Sequence, residues 1–311
     1  MPAGTFRKTA AALALLALTA CDMPLATSAT PKPRPTQSAP VDIRPTSEKS
    51  AALRSYFGQV QTAQLNQGLL RTDGGGPDTP FTADMLARNF EQIVFFNEYA
   101  RALQGRGGES PLRRWDAPVR MKVITGPGLP PSQARGDTET IREYARRLSG
   151  ITGHPISFFG RPNFVVIVAS EDDRDMALNQ AAAEIPGISA QSLDALRNLN
   201  RDTYCAVAAY AAGAGANTYT AAVALIRAEN PGLLRQSCIH EELAQGLGLA
   251  NDSRDARPSI FNDDDEFALL TRHDELLLRM LYDDRLSPGM TAEEAAPVTR
   301  IMARELISGP L

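Results

Sequence analysis

The sequence predicts an α+β fold with a helical N-terminal part, and three observations carry that prediction. After Ser47, apolar residues recur at helical spacing, first as Leu53, Phe57 and Val60, then as Leu86, Phe90 and Ile93. Asn163-Phe-Val-Val-Ile-Val-Ala169 is an unbroken apolar run with β-branched residues, which suits a central strand buried on both faces. Further along, Ile239, Leu243 and Leu247 form an apolar stripe at i, i+4, i+8, which predicts a helix over about 236–249.

Ser47 is a candidate N-cap for the first helix. The breaker Asp73-Gly-Gly-Gly-Pro-Asp-Thr-Pro80 separates it from a second helix starting at Thr82. Glu91 and Glu98 lie on the polar edge of that helix and read as a solvated face. A loop at Gly105–Gly108 follows. Leu112 and Trp115 then lead into Val119–Ile124, whose alternation predicts a strand with one wet face. Asp137 or Thr138 could cap a helix carrying Ile141, Leu148 and Ile151, ending at Gly150–Gly153. Tyr204–Tyr210 and Thr218–Arg227 are further strand candidates. A helix bearing Leu276, Leu277, Met280 and Leu281 follows, with Thr271 and Asp274 as its capping box. Thr291 with Glu294 opens a final helix, whose start Pro297 should disturb.

The N-terminus speaks to compartment. Arg7 and Lys8 precede the apolar run Ala10–Leu18, too short to span a bilayer but suited to a secretory signal over residues 1–20. Leu18-Thr19-Ala20-Cys21 resembles a bacterial lipobox, which implies cleavage before Cys21 and diacylation of its thiol. The alternative is an ordinary small-residue cleavage site with an incidental cysteine. Asp22 resembles an inner-membrane retention signal. These features predict a lipid anchor at Cys21, a cell-envelope location facing the periplasm, and the membrane as a partner. Residues 21–47, with Pro24, Pro31, Pro33, Pro35, Pro40 and Pro45, read as an extended tether. At ~3 Å per residue it could reach on the order of 70 Å. The folded region then divides into a helical part, 48–118, and an α+β domain, 119–311.

The formal charge of −4 becomes −6 once Arg7 and Lys8 leave with the signal, which argues against nucleic acid. Cys205 and Cys238 remain as an even pair, most simply a disulfide in an oxidising compartment. Such a bridge would contribute roughly 3–4 kcal/mol on the chain-entropy estimate.

The segment Cys238-Ile-His-Glu-Glu-Leu-Ala-Gln-Gly-Leu-Gly-Leu-Ala-Asn-Asp252 resembles the metzincin helix H-E-x-x-H-x-x-G-x-x-H. Glu242 falls at the general-base position and Gly248 at the turn glycine. Glu241, Gln245 and Asn251 fall where the zinc ligands should be. Together with Ser259-Ile-Phe-Asn262, Leu270-Thr271, Leu277-Leu-Arg-Met-Leu-Tyr-Asp283, Asn89-Phe-Glu91 and Trp115, the segment resembles an uncharacterised bacterial secreted family, domain of unknown function 2927. That resemblance, with its distant likeness to zinc metallopeptidases, implies a zincin-like mixed sheet with a motif helix.

Three readings of the motif compete. In a degenerate zincin, the cleft binds a peptide or envelope polymer without conventional zinc-peptidase activity, because glutamine is a poor zinc ligand. In a metal-dependent hydrolase with an unusual site, Glu241, Gln245 and Asp252, at i, i+4 and i+11 on one stripe, offer oxygens to a divalent cation, with Glu242 as general base. A Glu241/Glu242 pair working on a glycan is poorly placed, since adjacent helix residues point apart. In a structural or assembly lipoprotein, the acidic stripe is a solvated face. Gly248, Asn251-Asp252 and the following helix stand together in the metzincin order, which raises the functional readings over that one. Gly248 and Asn251 have structural roles there, and Met280 or Met290 could form the methionine turn beneath the site, with ordinary core the alternative for a helical methionine. The chain has three histidines, His154, His240 and His273. A zinc site from all three is conceivable, although surface or cap roles suit His154 and His273 better. Asn262-Asp-Asp-Asp-Glu266 is not spaced like a calcium loop and reads as a solvated loop or helix start.

Overall fold

A computed structural model describes residues 46–96, 108–185, 188–211, 216–262 and 264–309. The signal segment, Cys21, Asp22, nearly all of the tether, Glu98, most of the Gly105–Gly108 loop and Asp263 lie outside them.

Eight helices and five strands are present among the described residues, in the order α1 (Glu48–Asn66), α2 (Ala83–Val94), β1 (Val119–Thr125), α3 (Pro131–Thr152), β2 (Ile156–Ser157), β3 (Phe164–Ala169), α4 (Arg174–Glu184), α5 (Ala190–Arg197), β4 (Cys205–Ala211), β5 (Tyr219–Arg227), α6 (Gly232–Gln245), α7 (Arg272–Leu281) and α8 (Ala292–Ser308). The fold is therefore α+β with a helical N-terminal part. The strands form one sheet in the order β2-β1-β3-β5-β4. β1 runs parallel to β2 and β3, and β3 parallel to β5. β4 alone is antiparallel, pairing Cys205 with Ile226, and so forms one edge.

The period of two sorts side chains to the two faces. Phe164, Val166 and Val168 of β3 join the larger core with residues of α2, α3, α6, α7 and α8. Val165, Ile167 and Ala169 join the smaller core beneath α4 and α5. Every residue of β3 is buried, because both faces are covered. α1 stands apart: its Leu53 and Phe57 bury with Leu234 in a separate small cluster.

The caps at Ser47, Thr82, Thr271 and Thr291 form as the sequence indicates, the last two as full capping boxes. α8 runs through Pro297, in its second turn. α3 begins at Pro131, not near Asp137; Pro fits a first helical position, where no N–H partner is needed. Asp137 is instead a buried mid-helix residue whose carboxylate accepts from Arg235 Nε at 2.8 Å. α4 and α5 were not expected from the sequence: α4 lacks a strong apolar stripe, and α5 is only eight residues long, with Leu193 and Leu196 as its buried positions.

Candidate functional site

The motif helix α6 starts four residues earlier than expected and ends at Gln245. Its end is closely packed by residues distant in sequence. Gly248 has φ +128°, and a Cβ there would lie 2.5 Å from the carbonyl oxygen of Arg113 and 3.0 Å from a Leu281 methyl. A Cβ at Gly246 would fall 2.5 Å from the Phe164 ring. The freed carbonyls at the helix end find side-chain donors. Trp115 Nε1 donates to Gly246 O at 2.8 Å, and Tyr282 Oη donates to Leu247 O at 2.9 Å. Trp115 stacks on Phe164, their ring centroids 6.3 Å apart.

The early stop corrects the expected stripe. Gly248 and Asp252 are not helical, so Glu241, Gln245 and Asp252 do not line one helix face as an i, i+4, i+11 ligand set. Asp252 lies beyond the turn and is half-buried. Asn251 is a tie: its Nδ2 donates to Gln92 O at 3.0 Å and to Asp252 O at 2.8 Å, fixing the loop to the end of α2. Met280 is buried within α7 in the larger core and forms no turn beneath the motif.

The stripe that matters runs Cys238, Glu242, Gln245, at i, i+4, i+7. Cys238 is bonded to Cys205 at the start of β4, with a Cα–Cα separation of 5.8 Å. The bridge turns this stripe toward the sheet edge. Glu242 and Gln245 are buried, 2% and 4% exposed, while Glu241 is half-buried. The Gln245 Oε1 atom is buried with no hydrogen-bond partner among the described residues. Oxygens of Glu241 and Glu242 and the sulfur of Cys205 lie within 4.8 Å of one another. Among the described residues this is the one such cluster of candidate ligands. Tyr204 borders it; burial pushes its phenol up to about 12, with the charge of Asp265 next and a smaller share from Glu241. α1 covers this corner, with Phe57 edge-on to Tyr204 at 5.5 Å.

The donor set does not fit zinc. Cys205 is half of a cystine and has no thiolate to offer. Two carboxylates remain, whereas a catalytic zinc site takes three protein ligands and favours nitrogen or sulfur. The histidines do not converge to repair this. His240 stacks on Tyr144 at 3.9 Å, and its Nδ1 accepts the Leu270 N–H at 3.0 Å. Burial, helped by the charge of Arg147, pulls its pKa down to about 3, so the ring is neutral. His273 is fully buried against Asn89, 3.0 Å away, and Phe81. His154 Nε2 donates to Ala117 O at 3.0 Å, beside Tyr282. The expected cap or surface role for His273 gives way to a core one.

In the acidic stretch, Glu266 forms ion pairs and Asp265 is hydrogen-bonded. Glu266 pairs with Arg71 at 3.0 Å and with Arg257 at 2.5 Å, and Asp265 accepts from Gln64 Nε2 at 2.6 Å. These bonds tie the loop to the chain leaving α1. Asp274 is a polar anchor that the sequence analysis read only as a cap. It accepts from Ser259 Oγ at 2.5 Å, Ile260 N at 3.1 Å, Thr271 N at 3.0 Å and Thr271 Oγ1 at 2.9 Å, fully buried.

The chain belongs to the family described as protein of unknown function (DUF2927), whose pattern matches residues 83–301. The match takes in every strand, the motif helix and the Ser259–Asp274 network, and leaves α1 outside. No curated protein and no solved structure matches the chain.

Proposed function

We propose that this protein is a membrane-anchored envelope lipoprotein whose zincin-like domain has lost the zinc chemistry and binds an extended peptide or envelope polymer. The observation that carries the reading is the residue set at the ligand positions of the motif, on α6 and just past its end. Where the metzincin pattern puts three histidines, this chain has half-buried Glu241, buried Gln245 and Asn251, the last engaged in tying down a loop. The element order gives the zincin likeness partial support: strand, helix, strands, then a motif helix closed by the glycine turn at Gly248, with the helices α4 and α5 inserted between β3 and β4. The burial of Glu242 and Gln245 favours this reading over a scaffold whose acidic stripe is merely a solvated face.

Binding has a physical basis in β4. It is an edge strand, and its sequence Cys-Ala-Val-Ala-Ala-Tyr-Ala carries mostly small side chains, so another backbone could approach its free side. Amide hydrogen exchange on the full chain, with and without peptidoglycan fragments or their stem peptides, tests the proposal. Protection confined to β4 and the end of α6 is the expected result. Unchanged exchange there at saturating fragment would count against a binding cleft.

A second reading is kept alive by one atom. The unpartnered, buried Gln245 Oε1, one turn along α6 from Glu241 and Glu242, is the kind of oxygen a hard cation such as Ca²⁺ or Mn²⁺ accepts. A hydrolase built on such an ion would show cation-dependent activity that Glu242→Gln abolishes.

A further inference from the structure

The loop between β2 and β3 projects one aromatic ring into solvent. Phe159 is 85% exposed, far more than Leu65, Met176 or Ile301, the other exposed large apolar side chains among the described residues. Leaving it there forgoes burial that an interior Phe would gain. The loop is nonetheless braced. Arg120 Nε donates to Arg161 O at 2.6 Å, and Asn163 returns the chain to β1 through Asn163 N–Arg120 O at 2.9 Å and Arg120 N–Asn163 Oδ1 at 2.6 Å. Gly160, at φ +85°, makes the reversal that leaves Phe159 at the tip. The neighbouring Phe158 packs on the core instead, with the Arg142 guanidinium 4.9 Å over its ring.

Three arginines lie at this loop: Arg161 two residues past Phe159, Arg120 bonded to the Arg161 carbonyl, and Arg142 over the neighbouring Phe158 ring. None has a carboxylate within ion-pair distance among the described residues; Glu139 and Glu143 on the same helix turn to Arg146 instead. The chain as a whole carries −4, so this corner departs from the mean. β2 is the outermost strand, so no further strand flanks the loop.

We propose that the Phe159 loop is a docking surface for an anionic lipid bilayer. The aromatic ring would enter the interface between headgroups and chains while the three arginines meet lipid phosphates. One ring and three cations make a footprint too small for a stable protein–protein contact, which takes ~1,000 Å² or more. It suffices for an interface in which every headgroup is a ligand. The proposal needs no lipid on Cys21, because the loop's own ring and charges carry it.

The test places an indole at the tip. Trp115 is buried, 1% exposed, so the emission of a Phe159→Trp full chain separates into a buried and a surface component. Vesicles of phosphatidylglycerol with brominated chains should blue-shift and quench the surface component, and phosphatidylcholine vesicles of the same chain type should not. Reversing Arg142 and Arg161 to Glu should weaken the phosphatidylglycerol effect by roughly tenfold or more, since each basic residue near an anionic surface contributes about a fivefold factor. Both positions are exposed, so the fold is not at stake. A surface component that stays water-like on phosphatidylglycerol overturns the proposal. So does a response to soluble heparin but not to vesicles, which would assign the patch to an anionic glycan.

Discussion

Cys205, the first residue of β4, and Cys238, in the middle of α6, are joined by a disulfide that turns the Cys238–Glu242–Gln245 stripe toward the sheet edge. The bridge spans a sequence separation of 33 residues. Closing a loop of that size is worth about 3–4 kcal/mol on the chain-entropy argument. The double substitution Cys205→Ser, Cys238→Ser should therefore lower the unfolding free energy by that order. Denaturant titration of the two chains, both kept from intermolecular thiol pairing, checks it.

Gly248→Ala should be among the most damaging small substitutions in the chain. It imposes a Cβ on a backbone at φ +128° and drives it to 2.5 Å from Arg113 O. Strain and overpacking each cost on the order of 1–3 kcal/mol. Equilibrium unfolding should show a loss of about 2–5 kcal/mol. A neutral result would mean that the turn can relax and that its glycine is not required by packing.

The Asp274 carboxylate should matter for stability rather than chemistry. Asp274→Ala strands the buried donors of Ser259, Ile260 and Thr271 together. The expected cost is about 3–5 kcal/mol. Ser259→Ala removes one donor and should cost about 1–2 kcal/mol. Thermal melts of the two variants should preserve that order.

Stability should fall with acid in a window set by His240. Its folded pKa is held near 3, against an ordinary value of 6.5. Between those values the unfolded chain binds the extra proton, so stability rises with pH and is lost progressively as pH drops below 6.5. Burial moves His154 in the same direction and adds to the effect. The lowered carboxylates Glu171 and Glu266 act only near and below their ordinary value of 4.5. Melting temperatures compared between pH 7 and pH 5 isolate the histidines. His240→Gln should flatten that slope, whatever its effect on stability at pH 7.

Much of this architecture was legible in the sequence because it rests on local patterns. The unbroken Phe164–Ala169 run marks a doubly covered strand, and the Thr271 and Thr291 capping boxes mark helix starts. The pairing of Cys205 with Cys238 followed from the even count left after Cys21 and the expectation of an oxidising compartment. The phase of the motif site was not legible. An i, i+4, i+11 stripe assumes that the helix continues, and the stop after Gln245 is imposed by Arg113, Leu281 and Phe164, all distant in sequence. The same is true of Asp274, whose four donors converge only in the fold. α4 escaped notice because it is Ala-rich with little contrast between its faces. The pairing of Cys238 with Glu242 on one face could have been found from spacing alone, had the cysteine been used to set the helix phase.

The proposed function requires a motif helix without a catalytic metal. The most direct measurement is the metal content of the full chain, purified without chelator or metal-affinity resin, alongside its cleavage of a broad peptide library. The expected result is far less than one tightly held metal per chain and no chelator-sensitive cleavage, with Glu242→Gln indistinguishable from the parent in both. About one metal per chain, lost in Glu241→Ala, together with cleavage that Glu242→Gln abolishes, would contradict it and make the protein a metallohydrolase with an oxygen-rich site.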